Sequence, residues 1–202
     1  FMIVSPIIGL ACGFLFMVLV LNLTKNAGKA SAERYFKKLQ LFSAASYSFS
    51  HGTNDAQKTM GIILPLLFAI GYAGVGTDPN HLIVPTWVIL ISYAAIALGT
   101  LSGGWRIVKT MGYKITKLRP VHGFAAETAG AATILGASAA GIPVSTTHII
   151  CTSIMGVGST MGTSTVKWGV ARSIVLAWIL TIPISALIGY LAFSVIRIFI
   201  GY

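Results

Sequence analysis

Long apolar segments alternate with short polar ones along the chain. The apolar segments are residues 1–23, 39–72, 82–101, 121–163 and 173–196. A helix needs about 20 apolar residues to cross the hydrocarbon core of a bilayer. The apolar segments are continuous rather than alternating, which favours helices over a β-barrel. The pattern predicts an all-α integral membrane protein in which residues 1–202 form a single transmembrane domain. Gly9 and Gly13 have the spacing of a helix-packing face.

The second apolar segment is interrupted by polar residues. Residues 39–50 and 59–72 are uncharged, but at about 1.5 Å per residue neither crosses the membrane alone. The motif Gly-Thr-Asn-Asp lies between them and ends at Asp55. A carboxylate at membrane depth costs about 2.5–3.5 kcal/mol. We therefore predict a broken helix with an ion or substrate site at the break. The alternative is structural: Asp55 caps a helix that starts near Ala56.

Residues 121–163 have a different composition. Fourteen of the twenty residues in 121–140 are Gly, Ala, Ser or Thr, which is typical of a helix packed closely inside a membrane protein. A turn with Gly, Pro and three hydroxyl residues follows, and then a second apolar arm over 149–161. Basic residues flank both ends of this unit, so both ends are expected on one side of the membrane. The pattern predicts a re-entrant helical hairpin whose polar tip lines a cavity near the membrane centre.

Composition and charge agree with a membrane location. The chain is 55% hydrophobic and only 9% charged, with a mean hydropathy of +0.85, whereas soluble domains carry about 25% charged residues. The net charge is +10, and the basic residues cluster at 25–38, 106–119 and 167–172. Short basic segments between apolar spans are typical of cytoplasmic loops, so no nucleic-acid partner is expected. The chain begins at Phe1, and we interpret it as a piece of a longer protein.

Two polar sites are candidates for ion and substrate binding. The carboxylate and amide oxygens of Asp55 and Asn54 are hard ligands that suit sodium. Ser145, Thr146 and Thr147 begin the second arm of the hairpin, where hydroxyl and backbone N–H groups can bind an anion. Alone, the same hydroxyl residues are also typical of an ordinary helix N-terminus.

Other polar residues have open roles. Glu127 is a candidate site for a coupling cation or proton, or it pairs with a base such as Lys58. Lys58 either lends charge to a bound anion or neutralises Asp55. Gln57 and His148 are candidate substrate or proton contacts, or they serve packing and backbone orientation. The sequence contains no nucleophile, phosphate-loop or metalloprotease motif, so neither an enzyme nor a cofactor is expected.

Three ordered motifs resemble those of the inorganic phosphate transporter (PiT) family. The first is Gly52-Thr53-Asn54-Asp55 with the following Ala-Gln-Lys, which is similar to bacterial members. The second is Gly141-x-Pro-Val-Ser-Thr-Thr-His148. The third, Gly123-Phe-Ala-Ala-Glu127, is similar to a family segment that carries a functional glutamate.

The resemblance implies a cation-coupled phosphate symporter with two inverted repeats, of which this chain is the second. It implies that Ser145, Thr146, Thr147, Asn54 and Thr53 bind phosphate, and that Asp55, Asn54 and Glu127 bind the coupling ion, sodium or a proton. The expected partners are inorganic phosphate, membrane lipid and the other repeat, and glycine-rich faces permit a homodimer. The expected location is a prokaryotic inner membrane, crossed several times. The alternatives are transport of another oxyanion such as sulfate, and a membrane-embedded subunit that transports nothing.

Overall fold

The computed structural model describes residues 3–26, 28–76, 78 and 81–200, and these residues form helices and turns without a β-strand. Three of the helices are long and apolar enough to cross a membrane, over Val4–Thr24, Thr86–Trp105 and Trp168–Phe199. The helices are α1 (Val4–Thr24), α2 (Lys29–Ala69), α3 (Thr86–Lys109), α4 (Pro120–Ala139), α5 (Thr146–Ser159) and α6 (Trp168–Ile200). A π-helical segment, Thr110–Ile115, continues α3.

The chain divides into two units, with α1 to α5 in the first and α6 in the second. The α6 helix contains Pro183, and no residue of its apolar window is buried. In the first unit α1 contacts α5 and α4, while α2 contacts α4 and α3. Helices α4 and α5 pack against each other and are joined by a short turn at Gly141, whose φ is +68°.

Glycines allow α1 and α5 to approach until their backbones touch. A Cβ atom on Gly9 would lie 2.5 Å from Thr152 Oγ1 and 2.8 Å from the Ile149 carbonyl oxygen. A Cβ atom on Gly156 would overlap the Leu10 carbonyl oxygen. The Ser153 hydroxyl donates a hydrogen bond of 3.1 Å to the Gly9 carbonyl across this contact. The prediction that Gly9 belongs to a packing face is therefore confirmed.

Helices α2 and α4 run parallel with a nearly constant offset in sequence. Ser43 contacts Glu127, and Asn54 contacts Ser138, each pair 84 residues apart. Gly130 lies against Tyr47 in the same register. Because the two helices keep this register over several turns, one face of α2 is presented to α4 along much of its length.

The predicted break in the helix over 39–72 is wrong, because α2 is continuous through residues 51–58. The polar side chains there find hydrogen-bond or ion-pair partners while the backbone hydrogen bonds of the helix stay intact. Thr53 Oγ1 donates to the carbonyl oxygens of Phe49 and Ser50 at 2.9 and 3.1 Å, and Asp55 pairs with residues one turn before and after it. Ala56 lies inside the helix, so neither a helix N-terminus there nor a capping role for Asp55 exists.

Two helix boundaries also differ from the prediction. Much of the basic segment 25–38 is helical, since α2 begins at Lys29 and its 41 residues extend about 61 Å. The span predicted at 82–101 begins at Thr86 and continues past Gly103 and Gly104 to Lys109. Glycine lowers helix stability by only about 1 kcal/mol per residue, which the rest of the segment outweighs.

Candidate functional site

One face of α2 carries a continuous polar stripe. Its residues recur every three or four positions, so they lie on one side of a helix. The stripe consists of Gln40, Ser43, Tyr47, His51, Asn54, Asp55 and Lys58. Five of them form hydrogen bonds with α4, with α5 or with the turn between these helices: Ser43, Tyr47, Asn54, Asp55 and Lys58.

Asp55 lies at the centre of a cluster of hydrogen-bond donors. Its Oδ1 atom is 2.9 Å from Lys58 Nζ, and its Oδ2 atom is 2.9 Å from His51 Nε2. The Thr146 hydroxyl donates to Oδ2 at 3.3 Å. Thr146 is the first residue of α5, so the carboxylate lies at the positive end of that helix dipole. The structure thus brings the two predicted polar sites together.

Lys58 connects α2 to the hairpin turn. In addition to Asp55, its ammonium group donates to the Val144 carbonyl oxygen at 2.5 Å. Lys58 is thus paired with Asp55, which is one of its two predicted roles. Glu127, for which Lys58 was a possible partner, is bonded to Ser43 instead.

Asn54 is buried between α2 and α4, with 4% of its surface exposed. Its amide nitrogen donates to Ser138 Oγ at 2.8 Å. Its Oδ1 atom is buried and has no hydrogen-bond partner among the described residues. A buried carbonyl oxygen without a donor is costly in protein, and it is a suitable ligand for a hard cation.

The hairpin tip presents hydroxyl groups at the start of α5. Ser145 is the N-cap and accepts a hydrogen bond from the His148 backbone N–H at 3.4 Å. Thr146 is buried and its hydroxyl is engaged by Asp55, whereas Thr147 is exposed. The Tyr47 hydroxyl donates to the Thr146 carbonyl oxygen at 3.4 Å, which fixes the tip against α2. His148 is buried in the first turn of α5.

Glu127 forms a separate polar group farther along the same interface. It accepts a hydrogen bond of 2.5 Å from the Ser43 hydroxyl, and the Gln40 side chain lies close to it. Ser43 and Asp55 are twelve residues apart on α2, which corresponds to about 18 Å. Glu127 therefore does not join Asp55 and Asn54 in one cluster.

A cavity of about 710 Å³ in the first unit is lined by Asp55, Thr147 and Glu127. Residues of α2, α4 and α5 line it on one side, and glycines of α3 line it on another. The polar lining residues include Gln40, Tyr47, His51, Asp55, Glu127 and Thr147. Glu127 and Asp55 thus face a shared space although they are far apart.

Of the predicted site residues, Asp55, Glu127 and Thr147 line this cavity, and seven do not: Thr53, Asn54, Gln57, Lys58, Ser145, Thr146 and His148. The Thr53 hydroxyl is engaged by carbonyl groups of its own helix. Gln57 is exposed and does not line the cavity.

Sequence reasoning missed the partners of the predicted residues. Gln40 lies close to Glu127 and Ser43 donates to it, Tyr47 holds the hairpin tip, and Ser138 holds Asn54. The polar periodicity of α2 was the signal that could have found the first three. Ser138 carries no such signal, because it is one of many small residues in α4.

No group of three or more His, Cys, Asp or Glu side chains suited to a metal occurs in the described part of the chain. A cation here would instead rely on oxygen ligands from amides, hydroxyls and backbone carbonyls around a single acid. Such ligand sets are typical of alkali and alkaline-earth cations rather than of zinc or iron.

The model of one protein family, described as the phosphate transporter family, matches residues 22–189. The chain belongs to the phosphate transporter family. This confirms the resemblance found in the sequence. The family and the relatives described below are transporters and not enzymes, as the sequence predicted.

Relatives within the phosphate transporter family come from several bacteria. The chain is 50% identical to a probable low-affinity inorganic phosphate transporter of Rhizobium meliloti, over 95% of this chain and 56% of that protein. It is 43% identical to the Bacillus subtilis protein of the same name, over 97% of this chain and 57% of that protein. The chain therefore spans about half the length of these curated relatives.

A solved structure supports the same assignment. It is titled the sodium-dependent phosphate transporter, and it aligns with a TM-score of 0.67 and 32% identity. The alignment covers 82% of this chain and 41% of the other. Together with the apolar helices, these similarities identify the chain as part of a membrane protein.

Proposed function

We propose that the full-length protein is a secondary active transporter that carries inorganic phosphate together with a cation. The observation that carries the proposal is the contact between the hairpin tip and Asp55 at the wall of the cavity. It combines a helix N-terminus, which attracts an anion, with a carboxylate, which attracts a cation. A symporter needs both.

Phosphate binds in this proposal at the start of α5. Thr147 is the exposed hydroxyl residue of the tip and faces the cavity, so it contacts the substrate directly. Ser145 and Thr146 shape the first turn of α5, whose backbone N–H groups donate to phosphate oxygens. Asn54 donates to Ser138 near the end of α4, and so holds the hairpin against α2. Binding by dipoles and hydroxyls suits a substrate that must be released again.

The coupling cation, sodium or a proton, binds at the acids. Sodium would bind the carboxylate of Asp55 and the Val144 carbonyl oxygen, which Lys58 Nζ also contacts. Asn54 Oδ1, which has no hydrogen-bond partner among the described residues, would offer a further oxygen that suits a hard cation. Glu127 provides a second acid on the cavity wall and takes part in coupling.

Translocation requires a second structural half. We infer that this chain is the second of two repeats, as the resemblance to the PiT family implies, and the chain spans about half the length of its relatives. The α5 helix has 14 residues and extends about 21 Å, less than the membrane thickness, which supports a re-entrant hairpin. Rocking of one repeat against the other would expose the site alternately on each side of a prokaryotic inner membrane.

Uptake of labelled phosphate by the full-length protein in proteoliposomes tests the proposal. We expect unlabelled phosphate to suppress uptake and sulfate to leave it unchanged. Imposing a sodium gradient at fixed pH, with an ionophore that collapses the proton gradient, identifies the coupling ion. Suppression by sulfate as strong as by phosphate would change the substrate to another oxyanion. No uptake under either gradient would favour a subunit that does not transport.

Replacing Glu127 by Gln separates coupling from binding. The amide keeps hydrogen-bonding capacity toward Ser43 and Gln40 but removes the charge. We expect gradient-driven uptake to fall at least about tenfold. This is the effect of weakening the binding free energy of the coupling ion by about 1.4 kcal/mol or more. Exchange of phosphate at equal concentrations on both sides should persist. Glu33, which is exposed on α2, provides the control: Glu33→Gln should change neither rate. Full gradient-driven uptake by Glu127→Gln would remove Glu127 from the coupling mechanism.

A further inference from the structure

The ammonium group of Lys58 lies between two oxygen atoms of different origin. Asp55 Oδ1 is 2.9 Å from Lys58 Nζ, and the Val144 carbonyl oxygen is 2.5 Å from it. One oxygen belongs to α2 and the other to the turn that precedes α5. Carboxylate and backbone carbonyl oxygens are the ligands that a hard cation uses in proteins.

The second carboxylate oxygen, Asp55 Oδ2, offers no comparable position for a cation. Asp55 Oδ2 is already contacted by His51 Nε2 at 2.9 Å and by the Thr146 hydroxyl at 3.3 Å. A sodium ion bound to both Asp55 Oδ1 and the Val144 oxygen would occupy the space of Lys58 Nζ. The ion and the ammonium group therefore exclude each other at this position.

We propose that Lys58 is a tethered competitor of the coupling cation at Asp55: its ammonium group fills the cation position between Asp55 and Val144, and sodium binds there only after Lys58 withdraws. The proposal deepens the proposed function and rests on it for the role of the ion. Lys58 lies one turn from Asp55 on the same helix, so its effective concentration at the carboxylate is high. The apparent affinity of the site for sodium is therefore lower than it would be without Lys58.

The competition can be measured without transport. The full-length protein is purified in detergent, and its thermal midpoint is followed as sodium chloride replaces choline chloride at constant ionic strength. In Lys58→Met we expect half of the sodium-dependent stabilisation at a concentration at least about tenfold lower than in the wild type. This is the gain expected if Lys58 leaves the position vacant no more than a tenth of the time.

Three variants provide the controls. Lys58→Gln keeps a hydrogen-bond donor near Val144 without the charge and should also gain sodium affinity, so it replaces Lys58→Met if the latter does not fold. Asp55→Asn combined with Lys58→Met should lose the gain. Lys37→Met removes the same charge from an exposed position of α2 and should leave the sodium curve unchanged.

Identical sodium curves for the wild type, Lys58→Met and Lys58→Gln would overturn the proposal. Phosphate uptake by the wild type is recorded separately. A protein that takes up phosphate but gains no sodium affinity in either Lys58 variant contradicts only the competitor role. A protein that gains sodium affinity without taking up phosphate contradicts only the transport function.

Discussion

Asp55→Asn is expected to reduce phosphate uptake by the full-length protein at least about 30-fold, with normal insertion into the membrane. Asp55 is the shared partner of Lys58, His51 and Thr146. An amide cannot neutralise the charge of Lys58. Its NH₂ group is itself a donor and would face donor groups whose hydrogen bonds the carboxylate accepts. Losing one member of a hydrogen-bonded charge pair costs about 2 kcal/mol or more, which corresponds to this factor. Uptake of labelled phosphate in proteoliposomes measures the loss.

Asp78→Asn makes the same chemical change at an exposed position of a loop. It should leave uptake at the wild-type rate, and both variants should reach the membrane in equal amounts. Wild-type uptake by Asp55→Asn would remove Asp55 from the transport site.

The second large effect is structural. Gly156→Ala is expected to lower the stability of the full-length protein by about 1–3 kcal/mol, the usual cost of overpacking a close contact. The added Cβ atom would overlap the Leu10 carbonyl oxygen and lie 2.9 Å from the Phe14 backbone nitrogen. Both contacts are backbone atoms of α1, which cannot move aside by a change of rotamer. The thermal midpoint in detergent measures the loss.

Gly61→Ala is the matched control. Apart from its chain neighbours and the nearby backbone of α2 itself, no described atom lies within 4 Å of a Cβ atom at this position. Alanine has a higher helix propensity than glycine by up to about 1 kcal/mol, so this variant should be as stable as the wild type or slightly more stable. Equal midpoints for Gly156→Ala and the wild type would contradict the close contact between α1 and α5.

The apolar pattern predicts most of the helices and fails at the polar part of α2. Apolar runs are enough to locate α1, α4, α5 and α6, because each is apolar or rich in small residues along its length. The motif at 51–58 looks like a break when only its polarity is considered. Its periodicity indicates the opposite, since the polar stripe from Gln40 to Lys58 keeps helical spacing without a shift of phase.

The candidate site could be predicted in part. Motifs predict that Asp55 and the hairpin tip carry the polar chemistry, and the contact between Asp55 and Thr146 brings these two motifs together. The partners Ser43 and Ser138 could not be predicted, because they depend on the parallel register of α2 and α4. That register arises from helix packing between segments 84 residues apart, which no local pattern encodes.

Lys58 illustrates a different limit. Its sequence neighbours allow it either to neutralise Asp55 or to lend charge to an anion. The hydrogen bond to the Val144 carbonyl oxygen fixes the orientation of the Lys58 side chain. This hydrogen bond depends on the position of the hairpin turn against α2. The competition with sodium proposed above could only be inferred from that contact.

Protection of a cysteine at Thr147 tests the central claim most directly. In the full-length protein with its native cysteines replaced, Thr147→Cys is labelled with a negatively charged methanethiosulfonate in the presence or absence of phosphate. Ser164→Cys, which is exposed beyond the other end of α5 and outside the cavity lining, is the control. Phosphate at nine times its dissociation constant should slow labelling at Thr147→Cys about tenfold by mass action and leave Ser164→Cys unchanged, whereas sulfate should protect neither. An unchanged labelling rate at Thr147→Cys in saturating phosphate would contradict phosphate binding at the hairpin tip.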